Sequence, residues 1–475
     1  MPMWPVSPGP TRATHRAGQT SAVTLGDTTG QAVDSEDVLD GYVPPTPARG
    51  PRHGFNNGRD YAVLALVTLL VIAVTFISFR ESEFQATRLT PYTGPAEVLR
   101  QPELFPPSLG EAWRTRSPQT WQPVVINPQP DQNDGLASTV VTGDVDTVTG
   151  RDPQTGDVRW TYHRDLPLCT ISTAFKKVVV AYRTDGRMLP DSDPRSVGGC
   201  SEITSLKPTT GERDRQRNLD GDTDLRLLDD GQDYLTALGN NLMTSLRFDL
   251  VKTVEYGNVA TKVNPGKQPR YDCTYSSALT TPGKVGVIEH CPNETTDRLT
   301  VYRASAKDAD TPEIVLSQLL DGSSAQVVAM NATLTAVVLP NPDRVVIFDE
   351  QGTSTGSFPV ELGSEDLTRQ STGRTPLVTT GTGAFYWYTG TNTVVLSATD
   401  LRPLWTVKDT LGPGTIFAGR ALVPVPDGIA VLSQADGSRV GTFPANRGAY
   451  RGPVTMNSIG PMVFEQRGEE LVALH

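Results

Sequence analysis

Residues Ser138–His163 read STVVTGDVDTVTGRDPQTGDVRWTYH, and the way this stretch recurs decides the fold. Three short runs rich in β-branched residues are separated by turns built on Gly, Asp and Pro, the residue types that favour a reversal of the chain. The unit is an apolar strand, a tight turn, a second strand, then another turn and a third strand. It returns at Val178 (VVVAYR, then EITSLKPTTGERDRQ), Tyr234 (YLTALGNNLMTSLRFDLVKTVEY) and Val285 (VGVIEHC, then LTVYRASAK). Further copies follow at Leu334 (LTAVVLPNPDRVVIFDEQGTSTGSF), Ala384 (AFYWYTGTNTVVLSATDLRPLWTV) and Ala421 (ALVPVPDGIAVLSQADGSRVGTF). The last, at Met462 (MVFEQRGEELVALH), stops before its third strand.

Eight copies from Ser138 to His475 have a mean period of about 42 residues, the length of a four-stranded propeller blade. Alternation without a helical stretch speaks against a helical solenoid, and two β-sandwiches would not demand so regular a period. The expected fold class is therefore all-β, a β-propeller of eight blades by repeat count, with seven if one hairpin is an insertion. A closed ring leaves no long exposed sheet edge. An early strand such as Trp121–Ile126 (WQPVVI) is expected to supply what the truncated last blade lacks.

Upstream, residues 61–79 (YAVLALVTLLVIAVTFISF) carry no charge, Gly or Pro. At 1.5 Å per residue such a helix spans about 28 Å, close to the thickness of the bilayer hydrocarbon. The run predicts one transmembrane helix rather than a cleaved signal peptide, because it is long and begins sixty residues in. Residues 1–60 are rich in Pro, Gly, Ser, Thr and Asp, a composition that cannot offset ordering entropy, so a disordered tail is expected. Residues 80–120 read as a Pro-rich spacer, and residues 121–475 as the propeller. Arg49, Arg52 and Arg59 precede the helix, whereas Arg80 and Arg88 are interleaved with Glu81 and Glu83. The positive-inside rule then places the tail in the cytoplasm and the propeller in the periplasm.

All four cysteines follow the helix: Cys169, Cys200, Cys273 and Cys291. No pair has CxxC spacing, and two structural disulfides in an oxidising compartment are expected, read as Cys169–Cys200 and Cys273–Cys291. The alternative is four buried free thiols. The net charge of −11 argues against a nucleic-acid partner, since a phosphate backbone calls for a basic surface.

Signs of catalysis are sparse. No GxSxG, HExxH, P-loop or GxGxxG occurs, and His163, His290 and His475 lie far apart in sequence. The expectation is a binder without catalytic residues, metal or cofactor; a carboxylate pair of the glycosidase kind is the enzymatic alternative. Binding candidates come from loop composition. Val263–Tyr275 (VNPGKQPRYDCTY) places Lys267, Gln268, Arg270 and Tyr271 on a loop that Cys273–Cys291 would pin. A second candidate is Arg164–Cys169 (RDLPLC), with Asp165. Phe385-Tyr386-Trp387-Tyr388 could stack on a sugar, although alternation in a strand makes packing between blades the better use.

The turns Asp152-Pro-Gln-Thr-Gly156 and Lys207-Pro-Thr-Thr-Gly211 resemble those of the pyrroloquinoline-quinone-type repeat. In that repeat a Trp after the turn, here Trp160 and Trp405, tucks between neighbouring blades. The adjacent cysteines and calcium loop of quinone dehydrogenases are missing from the pattern. RDLPLC, CSEITSL (Cys200–Leu206), NPGKQPR followed by CTY (Asn264–Tyr275), GVIEHCP (Gly286–Pro292) and DRLTVYR (Asp297–Arg303) resemble a membrane-anchored periplasmic propeller family of mycolic-acid bacteria. The resemblance covers most of residues 110–475. It implies binding of a glycolipid of the trehalose monomycolate class, with an RND-type transporter as partner in envelope assembly and polar growth. Arg303, at the end of DRLTVYR, completes the candidate residues.

Overall fold

The repeat read from the sequence is the outer three-quarters of a blade. In the computed structural model, which describes residues 57–80, 86–128, 135–184, 198–259, 266–368 and 374–475, every blade has a further strand on its inner side. Blade 1 runs outward from Val124–Ile126 through Thr139–Asp144 and Thr147–Arg151 to Val158–Arg164, each strand antiparallel to the next. Seven further four-stranded sheets follow, so the ring has eight blades. Blade 2 begins with Leu168–Ala174, blade 3 with Arg226–Asp229 and blade 4 with Thr274–Thr281. Gln326–Met330, Val378–Thr380, Thr415–Phe417 and Val454–Ile459 open blades 5 to 8.

Ring closure differs from the expectation. The outer strand of blade 8 is Glu111–Arg116, paired with Glu470–Leu474 in the register Glu111↔Leu474 to Arg116↔Glu470. Trp121–Ile126 instead holds the innermost strand of blade 1. A strand that faces solvent on one side tolerates charge there, and Glu111, Arg114 and Arg116 are charged for that reason. The stretch expected to be spacer thus carries structure of the ring. It also supplies Thr87–Thr90, which pairs with Val158–Arg164 as a fifth strand of blade 1.

Between blades the sheets pack face to face through alternating apolar side chains. Val141, Val148 and Tyr162 of blade 1 meet Ile171, Val178 and Val180 of blade 2. Trp160 is fully buried, with its indole against Gly150 of its own blade and Gly211 in the outer turn of blade 2. A Cβ at Gly211 would stand 2.6 Å from the ring, and its φ of 76° also suits glycine alone. Nε1 of Trp160 donates to the Pro208 carbonyl at 2.8 Å. The lock recurs where Trp405 covers Gly437 and where Trp113 covers Gly156. Trp113 joins blade 8 to blade 1, so the indole that seals the ring lies on the N-terminal strand. The Phe385–Tyr388 run is consumed by packing on both faces: Trp387 joins the cluster shared with blade 5, and Tyr386 the one shared with blade 7.

Both disulfides form as expected, Cys169–Cys200 within blade 2 and Cys273–Cys291 at the entry to blade 4. The helix, Gly58–Arg80, precedes the propeller in the chain. Within Gly58–Ser78 an 18-residue window has a mean hydropathy of 2.5, and the helix is long and apolar enough to cross a membrane. The expected disordered tail lies outside the described residues up to residue 56.

Candidate functional site

The connector entering blade 4 holds four of the candidate residues, and the fold already occupies two of them. Gln268 acts as a piece of strand: its side-chain oxygen accepts from the Gly257 amide at 3.0 Å, and its nitrogen donates to the Glu255 carbonyl at 3.1 Å. It thereby covers the edge of Lys252–Gly257, the outer strand of blade 3. Arg270 turns inward. Its Nε donates to Glu289 at 2.9 Å and its Nη2 to Thr300 at 3.1 Å, while Tyr302 and Thr300 donate to the same carboxylate at 2.7 and 2.8 Å. Glu289 has no exposed surface. Burial opposes the charge on Arg270, yet the Glu289 carboxylate, helped by Tyr302 and Tyr256, reverses that and holds its pKa above the ordinary value.

This arrangement is a structural device of the ring. Arg164, at the end of blade 1, binds Glu202 of blade 2 at 2.7 Å, and both are buried. Arg447, between blades 7 and 8, binds Glu465 at 2.6 Å, and Arg467 completes a buried triad. In each case a guanidinium from the approach to a blade is anchored on a carboxylate inside that blade. Charges so enclosed need an opposite charge, and each of these guanidinium groups has a carboxylate partner.

The remaining candidates are more open. Lys267 pairs with Asp308 at 2.6 Å and Asp310 at 3.4 Å, and the hydrogen bond to Asp308 raises its pKa. Tyr271 is half exposed. Asp165 Oδ1 lies 3.0 Å from His163 Nε2 on the connector from blade 1 to blade 2. Arg303 lies 3.7 Å from Glu313 in the outer hairpin of blade 4. Lys267, Gln268, Arg270 and Tyr271 share one connector, whereas Asp165 lies between the strands Val158–Arg164 and Leu168–Ala174 and Arg303 ends the strand Arg298–Arg303. None of the six lines the cavity described next.

That cavity, of about 620 Å³, opens at the inner hairpins of blades 1, 2 and 3. Sites for small ligands commonly have volumes of ~300–1,000 Å³. Val125, Ile126, Asn127, Pro128 and Leu136 form its blade 1 wall; Thr173, Ala174, Phe175 and Lys176 the second; Asp229, Gly231, Gln232 and Asp233 the third. The third wall is braced from behind. Asp230 accepts from the Gln232 and Tyr234 amides at 2.8 and 3.0 Å through one oxygen and from the Gly283 amide at 2.8 Å through the other. Thr280 donates to the Asp229 carbonyl at 2.7 Å. Burial pushes the Asp229 carboxyl up to about 6, against the Gly231 amide that donates to it, with Asp230 adding to the rise. Sequence reading missed this site because it missed the inner strands of blades 2 and 3, Leu168–Ala174 and Arg226–Asp229, and placed Trp121–Ile126 in the last blade. Among the described residues, no three His, Cys, Asp or Glu side chains converge as metal ligands.

No protein-family model and no curated protein matches the sequence. Solved structures that align with it include BamB from Moraxella catarrhalis, with 13% identity and a TM-score of 0.46 over 77% of this chain and 99% of that one. Sqt1 of Saccharomyces cerevisiae aligns with 9% identity and a TM-score of 0.47 over 80% and 99% of the two chains. A europium-containing methanol dehydrogenase gives 10% identity and a TM-score of 0.45 over 75% and 84%. Similarities of this size carry no functional meaning.

Proposed function

We propose that the protein is a membrane-anchored periplasmic propeller that binds a glycolipid of the trehalose monomycolate class and assists an RND-type transporter in envelope assembly and polar growth. On this reading the tail is cytoplasmic, and the propeller does no chemistry of its own. The observation that carries the proposal is the cavity shared by blades 1 to 3, where Ile126, Pro128 and Leu136 stand beside Asn127, Asp229 and Gln232. An amphiphile with a polar head needs both kinds of surface side by side. The helix of Gly58–Arg80 and the two disulfides support an anchored protein with its propeller in an oxidising compartment.

A second reading is a protein-interaction scaffold without a lipid ligand. It draws on apolar side chains that the outer strands leave exposed, Leu404 on blade 6 and Val440 on blade 7. Native mass spectrometry of the full-length protein in detergent, incubated with trehalose monomycolate, separates the two. Retention of one glycolipid mass is the expected result. If none is retained while a transporter still co-purifies, the scaffold reading replaces the first.

A further inference from the structure

A second cavity, of about 350 Å³, opens among blades 6 and 7 and the approach to blade 8. Its walls come from the turn after Ala384–Tyr388, the connector after Pro403–Val407, the turn between Arg420–Val425 and Gly428–Leu432, and the connector into Val454–Ile459. These segments join second strands to third strands, or one blade to the next. The cavity of blades 1 to 3 opens instead where first strands turn into second strands. Successive strands of a blade run antiparallel, so the two cavities lie on opposite faces of the ring.

Two opposite charges line this cavity without pairing. Asp409 and Arg451 are both exposed, and among the described residues neither has an ion-pair partner. Lys408, beside Asp409, reaches Glu361 at 3.0 Å instead. The backbone around Asp409 is pinned. Its own amide donates to Asn392 Oδ1 at 3.2 Å, the Thr410 amide to the Thr391 carbonyl at 2.8 Å and the Leu411 amide to the Pro424 carbonyl at 2.8 Å. Arg451 is tethered through Nη1, which donates to the Gly448 and Tyr450 carbonyls, both at 2.8 Å. Its Nε and Nη2 donors have no partner among the described residues. That edge of a guanidinium is the one that holds both oxygens of a carboxylate side by side. Charges placed before a ligand arrives lower the ordering cost of binding.

The lining narrows the chemistry of an occupant. A simple anion would sit beside Asp409, and a simple cation beside Arg451, each meeting a like charge. A phosphate monoester carries about −1.5 to −2 charges, more than one guanidinium answers. A metal ion lacks the three converging ligands it would need among the described residues. An ammonium and a carboxylate on one small molecule answer both charges at once, and Tyr388, Leu411, Pro426 and Pro453 add apolar surface beside them. We propose that this cavity binds a zwitterion of amino-acid kind, its carboxylate on Arg451, its ammonium on Asp409 and its apolar part against Leu411 and the two prolines. A free amino acid and a short peptide share that chemistry. The glycolipid reading concerns the other face of the ring, so either proposal can fail without the other.

Full-length protein in detergent is titrated at neutral pH with L-leucine and with L-alanyl-L-alanine, followed by saturation-transfer NMR. The N-acetylated form of each lacks the ammonium, the C-amidated form lacks the carboxylate, and trehalose serves as the uncharged control. At least one zwitterion is expected to bind, and its blocked forms at least about tenfold more weakly. Binding of leucine alone names a free amino acid as the source, binding of the dipeptide alone a short peptide, and binding of both admits either. Asp409 has a φ of 56°, which Asn also tolerates, so Asp409→Asn preserves the connector. That variant and Arg451→Gln, both at exposed positions, are expected to melt within a few degrees of the parent. Each should weaken the zwitterion about tenfold, Asp409→Asn without changing binding of the N-acetylated form and Arg451→Gln without changing that of the amide. Should a variant not fold, the blocked forms on the parent protein still decide. The proposal is overturned if neither zwitterion binds, if a blocked form or trehalose binds as tightly as the zwitterion, or if either folded variant binds as the parent does.

Discussion

The connector at Gly266–Cys273 and the hairpin at Phe175–Lys176 both present polar or unusual residues at a loop, and they spend them differently. In the connector, Gln268 seals a strand edge and Arg270 neutralises a buried carboxylate, so the polar groups are turned to the needs of the fold. In the hairpin, the backbone is strained at two successive positions, and a ring and an ammonium border an open cavity. Polar composition alone therefore does not mark a binding loop. What separates the two is their setting: one loop's groups are bonded to a strand edge and a buried carboxylate, and the other's border an open cavity.

The largest expected effect tests the connector. Arg270→Ala leaves Glu289 buried without its cation, and removing one partner of such a pair costs ~3–5 kcal/mol. Denaturant titration should show that loss, with glycolipid binding per folded molecule unchanged. A variant that kept its stability and lost the ligand would reverse the comparison.

Asp229→Asn comes next and is gated by pH. The folded carboxyl holds its proton up to about 6, whereas an unfolded one releases it near 3.8. The unfolded state thus gains by ionising first, and parent stability falls as pH rises through that window. The variant should match the parent below pH 4 and exceed it above pH 6, by about 1–2 kcal/mol. Thermal melts at pH 4 and pH 7.5 decide this; a difference of equal size at both would refute the burial of that carboxyl.

Lys176→Gly should relieve one strained residue and raise stability by about 1 kcal/mol. A loss of stability would mean that the turn is not strained. The smallest effect is expected at Lys267→Ala. The pair with Asp308 and Asp310 is exposed, and such bridges contribute ~0–1 kcal/mol. The change should be within the error of a denaturant melt, in contrast to its neighbour Arg270.

Much of the ring was legible in the sequence because the outer three strands of each blade carry their own punctuation, such as Asp152–Gly156 and Lys207–Gly211. The inner strands were less so. Trp121–Ile126 read as a strand but not as the inner one of blade 1, and Val378–Thr380 and Thr415–Phe417 have three residues each, too few for an alternating pattern to register. Glu111–Arg116 was passed over because its charged, outward face resembles a spacer; Trp113, in the same relation to Gly156 as Trp160 to Gly211, was the available signal. At the site, Lys267 to Tyr271 were visible as a polar loop, but the inward turn of Arg270 depends on Glu289, Thr300 and Tyr302, which only the folded sheet assembles. The strain at Phe175–Lys176 left no mark, since neither residue is a turn former.

Closure through the N-terminal strand also sets a clock on biosynthesis. Arg116 contacts Glu469, 353 residues later in the chain, so the outer strand of blade 8 has no neighbour to pair with until Glu470–Leu474 has been made. At ~5–20 residues per second, the strand waits on the order of 20 to 70 seconds for its partner. Throughout that interval the growing sheets expose edges and Trp113 has no sealed ring to lie in. Removing Glu470–Leu474 would take away the partner of Glu111–Arg116 and leave the ring open at a sheet edge.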